Sequence, residues 1–271
     1  MKRLAIWICT FWMVCSFVLI MPMQVQAKKI ASGTCGANIT WVLDSNGTLT
    51  FSGAGEMEHF SPYSRPWEGR PVAITTVVIE AGITSIGNYA FADLEHLVSV
   101  TIPDTVMDLG GSTFQNCVSL QQIKLPKYIT SIPSGVFMGC SSLQSIVIPD
   151  KVEHIWHGAF QDCTSLRVVT MPVKLRFIEH DAFAQCPNLW HILYAGRKGQ
   201  FRNIAKYSGN EDLKNAHVHY QCGKNVKIDP ENQVCSVCIR EKVTTVAICA
   251  AVAAGAITAI VVAVRRRNRL W

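Results

Sequence analysis

Apolar residues recur along this chain at a fixed spacing of 23 residues. The repeated segments run from about Val72 to Tyr194, and each contains a leucine, a short β-branched run and a phenylalanine. A fixed short period is typical of a solenoid, whose units bury their apolar faces only by stacking on each other. The columns that define the period are Phe91, Phe114, Phe137, Phe160, Phe183; Leu97, Leu120, Leu143, Leu166, Leu189; and Ile79, Ile102, Leu125, Ile148, Met171.

Within each repeat, apolar and polar positions alternate over a few residues. In the third repeat, the pattern predicts a short strand in which Leu120, Ile123 and Leu125 point inward. A proline follows this strand in four repeats and ends it, because proline has no N–H to donate. The predicted fold is therefore a β-rich solenoid of short parallel strands, spanning residues 72–194.

A different pattern precedes the repeats, in residues 28–71. Two alternating segments, 39–43 and 48–51, flank Asn46-Gly47. Asn-Gly is a strong hairpin signal because both turn residues tolerate positive φ. We expect an N-terminal β-hairpin cap and a loop that cover the first open edge of the solenoid.

Both ends of the chain have the composition of membrane-targeting segments. Residues 1–27 begin with two basic residues, continue through an apolar stretch and end in Val25-Gln26-Ala27, which predicts a signal peptide, with an uncleaved anchor as the alternative. Residues 243–264 carry no charge, and as a helix their length of about 33 Å matches a bilayer core. The basic tail 265–271 then predicts a single-pass type I topology with the repeats outside the cell. Residues 195–242 are interpreted as an end unit and a juxtamembrane stalk that contains cysteines.

The net charge of +6 does not indicate nucleic-acid binding. Six of the 25 basic residues lie in the two terminal segments, and the remaining 19 equal the 19 acidic residues. The basicity therefore belongs to targeting and anchoring.

The cysteines form two groups. Cys117, Cys140, Cys163 and Cys186 share the 23-residue period, which allows disulfides, a metal stack or simple packing. Leu94 occupies the same register, and this favours an apolar core position. For Cys222, Cys235 and Cys238, juxtamembrane disulfides, free thiols and, together with His219, a zinc site remain open.

The outward positions of the strands are the candidate binding residues, because stacked strands form an extended surface. Exposed aromatic and arginine side chains are typical interface anchors, although packing of the end cap is an equal alternative for Trp190 and Leu193. The candidates are Gln122, Lys124, Arg167, Val168, Thr170, Trp190, His191 and Leu193.

Catalysis has little support in the sequence. His154, His157 and His180 are the residue type used in acid–base chemistry, but no nucleophile elbow, phosphate loop or metal-helix motif accompanies them. We interpret them as solvent-facing residues, and expect no enzyme activity and no cofactor.

The segments Leu143–Pro149 and Gly158–Leu166 resemble the BspA-type leucine-rich repeats of surface proteins. Ser32–Gly36 with the following hairpin is similar to the N-terminal cap common in that family, and Leu193–Tyr220 to its end unit. The resemblance implies a leucine-rich repeat solenoid and a role in adhesion, with an extracellular protein or glycan as the partner. A structural, envelope-organising protein without a specific ligand is the alternative function.

Overall fold

The computed structural model describes residues 27–221. The N-terminal cap contains β1 (Lys29–Thr34), β2 (Ile39–Asp44) and β3 (Thr48–Gly53), which pair antiparallel in sequence order. The predicted hairpin is present between β2 and β3. Gly47 has φ +79 in its turn, and the Asp44 carboxylate accepts the N–H groups of Asn46 and Thr48.

Short strands and two single-turn helices make up the rest of the described chain. On one face of the solenoid lie β5 (Thr76–Ile79), β7 (Ser99–Thr101), β10 (Ser145–Val147), β12 (Val168–Met171), β14 (His191–Tyr194) and β16 (His217–Tyr220). On a second face lie β4 (Gly55–Glu56), β6 (Ile83–Ile86), β8 (Asp108–Leu109), β9 (Ser131–Ile132), β11 (His154–Ile155), β13 (Phe177–Ile178) and β15 (Ala205–Lys206). The helices α1 (Lys198–Arg202) and α2 (Glu211–Asn215) belong to the C-terminal end unit.

All strand pairs between repeats are parallel. The first face, called the strand face below, contains the sheets β1-β2-β3-β5-β7 and β10-β12-β14-β16. The second face contains the sheets β4-β6-β8 and β15-β13-β11-β9. The register advances by one repeat per strand, as in Val168 opposite His191 and His154 opposite Phe177.

Both faces are interrupted around the third repeat. On the strand face, Gln122–Leu125 is not a strand, so the sheet prediction is wrong at this position although Leu120 and Leu125 are buried as predicted. On the second face, β8 and β9 do not pair. Trp156 and Glu179 donate their N–H groups to the preceding repeat at 2.9 Å, whereas Pro133, in the same register, has no N–H to donate.

The core is a continuous column of side chains. Neighbouring phenylalanine rings from Phe91 to Phe183 stack with centroids 5.0–5.6 Å apart. The four periodic cysteines are free thiols with no exposed surface, so packing, rather than disulfides, is the correct interpretation. Leu94 is partly buried against the same core.

Two backbone positions per repeat adopt the left-handed conformation. One column has φ between +53 and +60 and the other between +56 and +73. Glycine occupies these positions in only some repeats, which explains why the sequence period alone did not reveal them. The columns are Tyr89, Ser112, Gly135, Gly158, Asp181 and Asp93, Asn116, Gly139, Asp162, Gln185.

No helix within residues 27–221 is long and apolar enough to cross a membrane. The predicted signal peptide, the apolar segment 243–264 and the three cysteines Cys222, Cys235 and Cys238 lie outside the described residues, apart from Ala27.

Candidate functional site

The predicted strand-face residues divide into an exposed set and a buried set. Gln122, Lys124, Arg167 and Trp190 are exposed, and Val168 is half-buried. The Arg167 guanidinium lies 5.8 Å from the centre of the Trp190 ring, so these two candidates are brought together. Thr170, His191 and Leu193 are buried, with at most 7 % of their surface exposed.

The buried candidates lie where the sheet continues beyond the last predicted repeat. β16 pairs with β14 and places His219 opposite Leu193, which in turn lies opposite Thr170. Side chains on adjacent strands are about 5 Å apart and cover each other's flanks. The expectation of a free surface is therefore wrong for Thr170, His191 and Leu193, and the end-cap interpretation of Leu193 agrees with its burial.

His191 and His219 form a buried pair at this end of the sheet. His191 Nδ1 lies 2.9 Å from His219 Nε2, and the His219 ring also contacts His217 with centroids 4.5 Å apart. Burial, with smaller contributions from His217 and His191, lowers the pKa of His219 to about 4. Burial likewise lowers the pKa of His191. The pair is therefore neutral at physiological pH.

Three of the four residues of the zinc hypothesis, Cys222, Cys235 and Cys238, lie outside the described residues, so the hypothesis stays a prediction. Among residues 27–221, no group of three or more histidine, cysteine or acidic side chains is arranged to hold a metal ion. Of the four predicted ligands only His219 lies in this range, where its ring contacts other histidines.

The exposed candidates Gln122 and Lys124 lie at the interruption of the strand face. Among the strands of residues 27–221, β7 pairs only with β5 and β10 only with β12, so each presents an unpaired backbone edge toward Gln122–Leu125. Within residues 27–221, the backbone groups of Gln122, Ile123 and Lys124 make no hydrogen bond to either edge. Unpaired strand edges are templates for the addition of another strand.

Two open cavities flank this interrupted segment. One has a volume of about 410 Å³ and the other of about 400 Å³. They share Ile123, Lys124 and Val147, so we treat them as one feature, the break groove. The other lining residues are Val98, Ser99, Val100, Gln122 and Ser145 on one side and Asp104, Leu125, Lys127 and Pro149 on the other.

Lysine side chains lie along one end of the break groove. Lys124 and Lys127 line it, and Lys127 and Lys151 place their ammonium groups 5.3 and 4.6 Å from the centre of the exposed Tyr128 ring. The Asp104 carboxylate accepts the Lys127 backbone N–H at 2.9 Å. The groove therefore combines an apolar floor, open backbone groups and a basic rim.

Sequence reasoning missed an exposed aromatic group on the second face. Trp156 and Phe177 expose 44 % and 37 % of their surfaces, and both stack on His154. Two signals in the sequence pointed to this group. His154 and Phe177 are 23 residues apart, and Trp156 occupies the repeat position that Gly110 and Pro133 hold in earlier repeats.

A family profile described as "BspA type Leucine rich repeat region" matches six copies across residues 70–190. These residues are BspA-type leucine-rich repeats. The resemblance of the repeats is thereby confirmed, with six copies where each periodic column has five members.

Three bacterial proteins are among the solved structures that are similar to this chain. A leucine rich cell surface protein from Faecalibacterium prausnitzii is 29 % identical, with a TM-score of 0.49, over 63 % of this chain and 41 % of its own. A leucine-rich repeat protein from Eubacterium ventriosum is 18 % identical, with a TM-score of 0.46. The match covers 70 % of this chain and 73 % of the E. ventriosum protein. The T. pallidum leucine-rich repeat protein is 20 % identical, with a TM-score of 0.46. The match covers 70 % of this chain and 100 % of the T. pallidum protein.

This chain thus spans about two fifths of the length of the F. prausnitzii protein. No curated protein sequence matches it significantly. The family points to a protein-binding or surface role, and leucine-rich repeat proteins of this kind are typically not enzymes.

Proposed function

We propose that this protein is displayed at the cell surface and binds an extended polypeptide segment in the break groove. The observation that carries the proposal is the row of unpaired backbone groups on Gln122, Ile123 and Lys124 between the open edges of β7 and β10. A peptide strand that pairs with such groups gains main-chain hydrogen bonds, and pockets beside it select its side chains.

The groove favours a segment with alternating apolar and acidic side chains. Ile123, Val147 and Pro149 offer apolar contacts, whereas Lys124 and Lys127 offer positive charge at the rim. Rim charges chiefly set the association rate and the choice of partner. Arg167 and Trp190, exposed on the same face, extend the surface toward the C-terminal repeats.

Display outside the cell is supported by the sequence of the two ends. The signal-like residues 1–27 and the apolar segment 243–264 followed by arginines fit a single-pass anchor with the repeats outside. A protease added to intact cells tests this placement: it should remove an epitope tag inserted in the exposed loop at Tyr63, and a tag that survives would contradict it.

Peptide display tests the binding function. The full chain, purified in mild detergent and immobilised, is screened with a random library of 12-residue peptides on phage. We expect enriched sequences with alternating apolar and acidic residues. For a selected peptide, Lys124→Glu should raise the half-saturation concentration at least tenfold, because it reverses a rim charge.

Lys174→Glu is the matched control, since Lys174 is an exposed lysine in a later repeat and does not line the groove. N-methylation of alternate peptide nitrogens should also abolish binding if main-chain pairing supplies the affinity. A library without enriched binders, or equal binding by Lys124→Glu and wild type, would overturn the proposal.

A further inference from the structure

The second face of the solenoid presents a set of stacked rings that the break groove does not use. Trp156 and His154 stack with centroids 4.0 Å apart and planes within 4°. His154 also stacks on Phe177, in the next repeat, at 5.0 Å. Trp156 and Phe177 both belong to the exposed large apolar residues of the range 27–221.

The ring stack is held in place by its surroundings. His154 Nε2 lies 2.8 Å from the Glu179 carboxylate, which fixes the imidazole, and the imidazole in turn orients the two larger rings. Side chains that are already ordered lose little conformational entropy on binding. The stack is thus a prepared surface, unlike a scattered set of exposed apolar residues.

The stack ends at a small residue. Ser131, His154, Phe177 and Ala205 occupy the same register on β9, β11, β13 and β15. Because Ala205 has only a methyl group, an open cavity of about 330 Å³ remains next to Phe177. This volume is at the lower end of the range for small-ligand sites, about 300–1,000 Å³. We call it the ring slot.

The walls of the ring slot are polar around one aromatic ring. Besides Phe177, Leu175 and Ala205, it is lined by Arg176, Gln200 and Asn203. Gln200 uses its Oε1 atom to accept the Arg197 N–H, which leaves its amide N–H₂ group to donate. The Arg176 guanidinium is largely exposed and lies 3.9 Å from the Glu153 carboxylate.

We propose that the ring slot binds a single sugar ring of a glycan. A pyranose has an apolar face of C–H groups that packs on an aromatic ring. Its rim of hydroxyls accepts hydrogen bonds from a guanidinium group, and both accepts them from and donates them to side-chain amides. An aromatic or proline side chain of a protein would use Phe177 equally well but would leave the three polar groups of the slot without new partners. The polar groups therefore favour a saccharide.

The test uses the full chain in mild detergent and an array of defined oligosaccharides. The array contains hexamers of glucose, of N-acetylglucosamine and of galacturonic acid, so that neutral, N-acetylated and acidic rings are separate arms. We expect at least one arm to bind with half-saturation in the millimolar range or below. Ala205→Phe, which fills the slot with a ring, should weaken this binding at least tenfold.

Ser131→Phe is the matched control, because Ser131 begins the same column but lies outside the slot, and it should leave binding unchanged. Asn203→Ala tests the polar wall without filling the slot, and should weaken binding at least threefold. The absence of binding in every arm overturns the proposal. Binding that survives Ala205→Phe, or a ring slot that captures only aromatic peptides from the phage library, also overturns it.

Discussion

The Cys140 thiol donates a hydrogen bond to the carbonyl oxygen of Phe114, 26 residues earlier, at 3.1 Å. The same bond recurs from Cys117 to Phe91, from Cys163 to Phe137 and from Cys186 to Phe160. Leu94, in the same register, makes no such bond because its side chain has no hydrogen to donate. Cysteine is therefore used here as a small apolar side chain that also satisfies a buried carbonyl.

Burial should make these thiols unreactive in the folded protein. It raises the pKa of Cys140 from 9.0 to about 12, and that of Cys163 well above its ordinary value. Because the thiolate is the nucleophile, iodoacetamide at pH 8.5 should leave both residues unmodified until urea is added. Peptide mass spectrometry identifies each site, and labelling of Cys140 in the native state would contradict the prediction.

The same pKa shift predicts a loss of stability in alkali. Between pH 9 and 12 the unfolded state releases the Cys140 proton while the folded state retains it, so the free energy of unfolding falls as pH rises. The contribution of one thiol is at most about 1.4 kcal/mol per pH unit. Urea unfolding at several pH values should show a shallower decline for Cys140→Ala, and equal slopes would refute the assignment.

Acid should weaken the C-terminal end of the sheet. The pKa of His219 is lowered from 6.5 to about 4, so between these values the unfolded state binds a proton that the folded state does not, and stability is lost as pH falls. His219→Gln keeps a polar partner for His191 and should flatten this dependence. His96→Gln, at an exposed histidine, serves as the control and should behave like wild type.

Removal of one ring from the phenylalanine column should be costly. Phe137 is fully buried between Phe114 and Phe160, at centroid distances of 5.6 and 5.5 Å. Phe137→Ala should lower the free energy of unfolding by about 3–5 kcal/mol, as measured by urea titration. Tyr63→Ala, at an exposed aromatic residue, should change it by about 0.5 kcal/mol or less. A loss below about 1 kcal/mol for Phe137→Ala would show that the column is loosely packed.

The left-handed positions offer a stabilising substitution. Gln185 has φ +57 and an exposed side chain, so Gln185→Gly relieves a conformation that costs a side-chain-bearing residue about 1 kcal/mol. We expect a gain of up to that amount in thermal or urea unfolding. Gln144→Gly, at an exposed residue without positive φ, should instead lose about 0.5–1 kcal/mol. Destabilisation by Gln185→Gly would contradict the strain argument.

The sequence predicted the periodic features of the fold and missed those that break the period. The phenylalanine and cysteine columns lie in the core because every repeat places them in the same environment. The burial of Thr170, His191 and Leu193 depends on β16, which begins at His217, 26 rather than 23 residues after His191. The lack of pairing between β8 and β9 could have been predicted from the sequence, because Pro133 lacks the N–H group that the equivalent residues of other repeats donate.

For the candidate site, the sequence identified Gln122 and Lys124 as outward residues. It did not show that their backbone groups are unpaired, which is what makes them candidates for binding a strand. The alternation of apolar and polar residues there is that of an ordinary strand, and no local feature marks the loss of pairing with β7 and β10. The ring slot was equally hidden, since it depends on the small side chain of Ala205 beside Phe177.

The interruption at the third repeat also sets how the chain transmits mechanical load. Stability in a repeat protein is carried by contacts between nearest neighbours. Where β8 faces β9, no strand pairing remains, and the second and third repeats are joined by the Phe114–Phe137 stack, the Cys140 thiol and corner bonds such as Ser112 to Ser134. When the protein is pulled from its two ends, the contacts at this junction should therefore break first. A ligand strand bound in the break groove would add contacts across the junction and stabilise it.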